Sequence, residues 1–290
     1  MRYDVRHRTS YRYLQDVSYS CHLAHLLPRA TDSQSVEQAE IALSQPAARR
    51  RRMADYFGNV VEWFAIDQPH AVLEVISQSR VIVTPARPFG PTGSAAWERV
   101  KGALADTAPS DGCDAVQYTF DSPLTASSSA IAIYAAQSFP AGRAIVDGAL
   151  DLMHRIHADF RYDTTVTDAA TPVHRVFEIR SGVCQDLAHA AIACLRALGL
   201  AGRYVSGYLL TKPSPGQPRL LGADASHAWF SVWAPPFGWV DLDPTNDVRV
   251  SDGHVTLAWG RDYGDVAPLN GVITGGSEHV VEVGVDVIPA

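Results

Sequence analysis

Cysteine, histidine and aspartate together can make a nucleophile, its base and the group that orients the base. This sequence holds one of each where the local pattern suits that chemistry. Cys184 follows Ser181-Gly182-Val183 and opens a predicted helix to about Leu198, with Leu187, Ala191, Leu195 and Leu198 on its core face and Gly199 as its stop. Backbone N–H groups at a helix start favour a nearby negative charge. A thiolate at Cys184 is therefore stabilised, and the same donors could receive an oxyanion. Cys194 sits mid-helix among Ala191, Ile192 and Leu195 and reads as a core filler.

A nucleophilic thiol needs a base and something to hold that base. Ser226 to Trp233 reads as a strand, Pro235-Pro236 and Gly238 as a turn, and Trp239 to Asp243 as the antiparallel return. If Trp233 faces Trp239, His227 lies opposite Thr245 and diagonal to Asp243. A shift of two residues puts His227 directly opposite Asp243. In both registers the side chains share a face, about 5 to 8 Å apart at Cβ. A shift of one residue would separate them. Pro244 ends the strand just after Asp243. Asp241 shares that face but lies farther from His227 in either register.

The surrounding elements follow from pattern and composition. The chain has 290 residues, 47% of them apolar and 19% charged, with 24 Lys+Arg against 31 Asp+Glu and 4 Cys. That composition excludes wholesale disorder and a disulfide scaffold. A net charge of −7 argues against a nucleic-acid partner. No apolar run is long enough for a membrane helix and no signal peptide is read, so the expectation is a cytoplasmic protein with reduced cysteines. No cysteine pairing suits a structural zinc site, and neither metal nor cofactor is expected.

Residues 1–84 read as a β domain, a small antiparallel sandwich or barrel. Val5, His7 and Thr9 alternate with Asp4, Arg6 and Arg8. Val17, Tyr19, Cys21 and Leu23 repeat the period, and Phe57-Gly58-Asn59-Val60 marks a hairpin turn. Arg49 to Arg52 reads as a solvated strand end rather than an interaction tail. Residues 85–125 form a Pro- and Gly-punctuated linker and connecting segment, with a helical stretch from Ala95 to Ala105. Residues 126–290 read as an α+β domain, helices first and an antiparallel sheet after. Ile145 to Phe160 is an amphipathic helix in which His154 and His157 read as partly buried or solvent-facing.

The runs Gly182-Val183-Cys184-Gln185-Asp186-Leu187-Ala188-His189, Ser226-His227-Ala228-Trp229 and Gly238-Trp239-Val240-Asp241-Leu242-Asp243-Pro244-Thr245-Asn246 resemble the three signature blocks of the transglutaminase-like superfamily. More narrowly, the chain resembles the bacterial branch with an N-terminal β domain. The likeness extends to Asp55-Tyr56-Phe57-Gly58-Asn59, Phe160-Arg161-Tyr162-Asp163, Arg203-Tyr204-Val205-Ser206-Gly207-Tyr208-Leu209 and Gly260-Arg261-Asp262-Tyr263. It implies a papain-like core with Cys184 as nucleophile, His227 as base and Asp243 as orienting acid. Leu187 stands where Phe is common in relatives.

The resemblance leaves the reaction open among cross-linkers, peptidases and amidases. The sequence reading favours thioester-mediated hydrolysis of a peptide, protein or other amide substrate. Protein-glutamine cross-linking, a non-catalytic binding module on the same fold, and a metal hydrolase built on His189, His227 and Asp243 are the alternatives. Trp229, Tyr208 and Asp224 are the candidate substrate-binding residues. Asp186 is read either as a brace for the Cys184 helix or as a substrate contact. Arg261 to Tyr263 is read either as a cover for the cleft or as a structural ion pair.

Overall fold

A computed structural model describes residues 1–86, 93–106, 113–211 and 225–290. In chain order it runs β1 (Arg2–Ala24), β2 (Gln34–Leu43), β3 (Arg49–Ala54), β4 (Val60–Ile66) and β5 (His70–Val83), then α1 (Trp97–Ala105), α2 (Cys113–Val116), α3 (Ser129–Ala136) and α4 (Ile145–Asp159). The segment that carries the cysteine follows: β6 (Arg161–Tyr162), α5 (Val173–Ile179), β7 (Ser181–Gly182) and α6 (Cys184–Ala197). It is succeeded by β8 (Gly202–Leu209), β9 (Ala225–Trp233), β10 (Trp239–Asp243), β11 (Val248–Arg249), β12 (His254–Gly260), α7 (Tyr263–Val266), β13 (Leu269–Gly275) and β14 (His279–Pro289). The class is α+β, with a helical and antiparallel-sheet core preceded by a β region.

The first sheet is organised by β1. Its first half pairs with β5 and β14, and its second half with β4 and β13. Tyr13, Val17, Leu26, Ile41, Phe64, Ile66, Leu73 and Val75 fill a core of their own beside it. The first half of β1 buries Val5, His7 and Thr9, as the alternation predicts. The second half has the predicted period but the opposite phase. Ser20, His22 and Ala24 are buried, while Tyr19 is 45% exposed. The register shifts between Val17 and Tyr19, and an inserted residue moves every later side chain to the other face.

The last two strands also belong to this sheet. β13 and β14 lie along β1, although the range 126–290 groups them with the helices and the second sheet. A long strand has two edges to satisfy, and β1 fills its second edge from the far end of the chain.

Arg49 to Arg52 lie on β3, at the end of the strand order. Arg50 and Arg52 both pair with the buried carboxylate of Glu62. An edge strand rich in arginine resists pairing with another chain.

The second sheet has the order β11-β10-β9-β8-β12. α6 packs across it and is buried on all sides, from Leu187 to Arg196. Its run of alanines lets β8, β9 and the neighbouring helices approach closely, so the single apolar face expected from the sequence is exceeded. Gly199 ends it in the left-handed region, with φ 77°. One core runs from Tyr3, Val5 and Val83 of the first sheet through α4 and α6 to Phe230 and Leu242 of the second.

Polar contacts tie the two sheets together. The Gln34 amide donates to the Thr256 carbonyl at 2.7 Å and accepts from the Thr256 N–H at 2.9 Å. Asn59 treats Trp259 in the same way, at 2.8 and 2.9 Å. Each side-chain amide imitates a peptide unit on the open edge of β12. Asp55 holds Asn59 in place through the Asn59 N–H at 2.8 Å and Nδ2 at 2.7 Å. The Arg29 guanidinium lies 3.2 Å from the Trp259 ring centroid, and Arg203 lies 3.7 Å from the same ring and 4.3 Å from Trp239.

Candidate active site

Cys184 is the first residue of α6, after an extended Val183 (φ −103°, ψ −178°). Asp186, three residues past Val183, turns back and accepts the Val183 N–H at 2.8 Å and the Thr167 hydroxyl at 2.7 Å. That is the return half of a capping box. Burial pushes the Asp186 carboxyl up, against those two hydrogen bonds. The turn requires glycine at 182, because a Cβ there would lie 2.5 Å from Asp186 Oδ2. β6 runs parallel to β7, with Arg161 beside Ser181 and Tyr162 beside Gly182, and fixes the approach to the cysteine. Gln185 is turned aside to the Ala169 carbonyl at 3.1 Å.

The hairpin adopts the first register considered: Trp233 faces Trp239, and Phe230 faces Leu242. His227 is thus diagonal to Asp243, and its Nε2 lies 2.7 Å from Asp243 Oδ2. Cys184 lies close enough to the ring for its sulfur to favour the charged imidazole. With Nε2 committed to Asp243, Nδ1 is the nitrogen left to face the thiol. Asp241 is bonded to Ser231 instead.

Asp243 is completely buried. Its Oδ1 accepts the Thr245 N–H at 3.0 Å and the Asn246 N–H at 3.3 Å. Its Oδ2 accepts Asn246 Nδ2 at 2.7 Å and lies 3.2 Å from His254 Nε2. Burial alone would raise the Asp243 pKa. Hydrogen bonds from His227 and His254, the imidazolium charge and Asn246 overturn that and hold it well below the usual carboxylate range. Burial alone would likewise lower His227. Its hydrogen bond to Asp243 and the nearby Cys184 sulfur, with their charges, push it up to about 10 instead.

The other expected residues divide. Trp229 is completely buried, with its ring 6.2 Å from His227 and 5.3 Å from His254. Gly207 makes room for it, since a Cβ there would sit 2.4 Å from the indole. Tyr208 is 1% exposed and its hydroxyl meets His7 Nδ1 at 3.0 Å. Gly207 faces His227 across the ladder, so its neighbour Tyr208 points to the other side of β8. Asp224 lies outside the described residues.

His189 is not gathered with His227 and Asp243. It accepts the Tyr263 N–H at 3.1 Å and packs on Tyr204. Arg261 pairs with Asp265 at 2.9 Å, and Asp262 caps α7 through the Gly264 N–H at 2.8 Å. Arg196 reaches the Arg261 carbonyl at 2.7 Å. The Arg261–Tyr263 run is thus a structural corner. His154 and His157 contact Asp247 and the Pro244 carbonyl, bracing the loop after Asp243.

His254 is the residue that sequence reasoning missed. It comes from β12, two strands away from β9 on the far side of β8, and nothing in Gly253-His254-Val255 marks it. His227, Asp243 and His254 bring their ligand-type atoms within 4.8 Å of one another.

Two family models match the chain: the bacterial transglutaminase-like N-terminal region over residues 3–82, and the transglutaminase-like superfamily over residues 134–244. An uncharacterised protein of Mycobacterium tuberculosis is 42% identical over 293 residues, covering 99% of this chain and 93% of the relative. A protein-glutamine gamma-glutamyltransferase of Pseudomonas aeruginosa is 36% identical over 123 residues, 39% of this chain and 18% of that one. A solved structure from Cytophaga hutchinsonii, provisionally assigned as a cysteine protease, superposes with a TM-score of 0.74 at 20% identity. It covers 100% of this chain and 91% of its own, and shows the same fold. The chain belongs to the transglutaminase-like superfamily, in the bacterial branch that carries an N-terminal β region.

Proposed function

We propose that the protein is a cysteine-dependent hydrolase of amide bonds that works through a thioester, with Cys184, His227 and Asp243 as its catalytic triad. The observation that supports this is the placement of His227 beside Cys184 with its Nε2 bonded to the buried Asp243 carboxylate at 2.7 Å. The Cys184 thiolate attacks the amide carbonyl carbon, and the carbonyl π electrons move to oxygen. The Cys184 N–H, at the start of α6, is positioned to receive that oxyanion. Collapse breaks the C–N bond, and the His227 imidazolium gives its proton to the departing amine. Water, deprotonated by His227, then attacks the thioester, releasing the acid and restoring the thiolate–imidazolium pair. Asp243 holds the ring orientation and the imidazolium charge. Trp229 walls the histidine side of the site.

Cross-linking is the second reading, favoured by the match to the Pseudomonas aeruginosa enzyme. In it a primary amine replaces water at the thioester. A labelled primary amine offered with a glutamine-containing protein separates the two, because hydrolysis releases ammonia without incorporating label. The proposal includes a cytoplasmic setting, in which Cys21, Cys184 and Cys194 stay free thiols.

The decisive test is alkylation by iodoacetamide followed by peptide mapping. At pH 6.5 Cys184 should be labelled well before Cys194, which is fully buried and whose thiol burial pushes far up. His227→Ala should slow Cys184 labelling at least tenfold. Labelling of Cys184 only under alkaline conditions, indifferent to His227, would refute the triad and favour a binding module.

A further inference from the structure

We propose that His227, Asp243 and His254 form a reversible binding site for a divalent transition-metal ion of the zinc type, and that filling it switches the enzyme off. The three residues come from β9, β10 and β12, and each is at least nine-tenths buried. Their ligand atoms lie within 4.8 Å of one another. Two imidazole nitrogens and one carboxylate oxygen are a donor set suited to zinc, with a fourth position left for water.

Both Nε2 atoms already point at one oxygen, Asp243 Oδ2, at 2.7 and 3.2 Å. An ion with ligand bonds of about 2.1 Å needs its donors about 3.4 Å apart in a tetrahedron. The changes required are a withdrawal of Oδ2 by several tenths of an ångström and a swing of the imidazoles that brings the two nitrogens, which lie within 4.8 Å of each other, to the same spacing. Asp243 Oδ1 stays anchored by the Thr245 and Asn246 N–H groups and serves as the pivot. Any proton held between an Nε2 and Oδ2 leaves to solvent as the ion enters.

The supporting shell differs on the two sides. His227 is steadied by the neighbouring Trp229 ring, 6.2 Å away between centroids, independently of Cys184. His254 Nδ1 is buried and has no partner, so no hydrogen bond there resists a small swing of the ring. His254 also lines a cleft of about 1190 Å³, beside Gln34, Arg203, Trp239 and Trp259, through which an ion can arrive. The bound ion would occupy the nitrogen and carboxylate that orient the base, leaving Cys184 without its proton acceptor in working position. Inhibition rests on the hydrolase proposal; binding does not.

The test is a titration of chelator-treated full-length protein with Zn2+ against a chromophoric zinc indicator. One ion per chain is expected. His254→Ala should weaken binding at least tenfold, and Cys184→Ala should leave it within about twofold. His254→Gln, which keeps a donor for Asp243, guards against misfolding: it should bind as weakly as His254→Ala while melting near the parent temperature. The Co2+ form should show no thiolate-to-metal charge-transfer band. Loss of binding in Cys184→Ala, a thiolate band, or unchanged affinity in both His254 variants would overturn the site. Zinc binding that left a demonstrated hydrolysis unaffected would overturn the switch. Alkylation of the metal-free protein tests the triad independently of either result.

Discussion

Asp243 takes part in more hydrogen bonds than a counter-ion for one imidazole needs, and their arrangement explains which changes the site tolerates. Asp243→Asn keeps a polar group among the same donors but removes the charge and can present the wrong hydrogen-bonding partner to His227. If the hydrolase proposal holds, turnover of an amide substrate should fall by about 10² to 10⁴, and Cys184→Ala should remove it. The pH dependence has a defined sign. His227 is raised from its ordinary 6.5 to about 10, so its contribution to stability is complete below pH 6.5 and lost as pH climbs through 10. Asp243 is depressed, so its contribution is complete above its ordinary 3.8 and lost on acidification below that value. The melting-temperature gap between parent and His227→Gln should therefore be widest from pH 4 to 6.5 and shrink towards pH 10. The helix-start position of Cys184 and the pairing of His227 with Asp243 were legible because a helix start and a tight hairpin are local features. His254 was not, because strand order in a sheet is not written in any short stretch of chain.

At the level of single elements, the Cys184 helix is held by what precedes it. Asp186→Ala removes the acceptor for the Val183 N–H and the Thr167 hydroxyl, and should cost about 1 kcal/mol in urea unfolding, with slower Cys184 alkylation as the start of α6 loses its anchor. Gly207→Ala should cost about 1–3 kcal/mol, since the new Cβ would lie 2.3 Å from the Val255 carbonyl and 2.4 Å from the Trp229 ring. A matching loss of near-ultraviolet tryptophan signal would show that the indole had been displaced; unchanged stability would mean that β8 shifts freely. The helices and hairpin were readable from periodicity, while the register stayed open between two settings and the structure adopts the one in which the tryptophans face each other. The phase of β1 beyond Val17 was not readable, because one extra residue reverses inside and outside without changing the two-residue period.

For the molecule as a whole, the N-terminal region is attached through groups that a sequence shows only as turn residues. Phe57-Gly58-Asn59-Val60 reads as a hairpin turn, and β3 and β4 join there. Its Asn59 also closes the edge of a strand 200 residues later. The C-terminal strands were grouped with their sequence neighbours because pairing over that distance leaves no local mark. Asn59→Ala strands a buried N–H and carbonyl on Trp259 and should destabilise the full-length protein by about 2 kcal/mol or more. Limited proteolysis should then cut between the two sheets sooner than in the parent, and an unchanged cleavage pattern would count against this role.

With Gln34 and Asn59 seated on it, β12 offers no main-chain partners at Thr256 and Trp259. A polypeptide cannot be recruited there by lengthening the sheet with a strand of its own. Under the hydrolase proposal, an extended substrate chain would have to be held somewhere other than along these two positions.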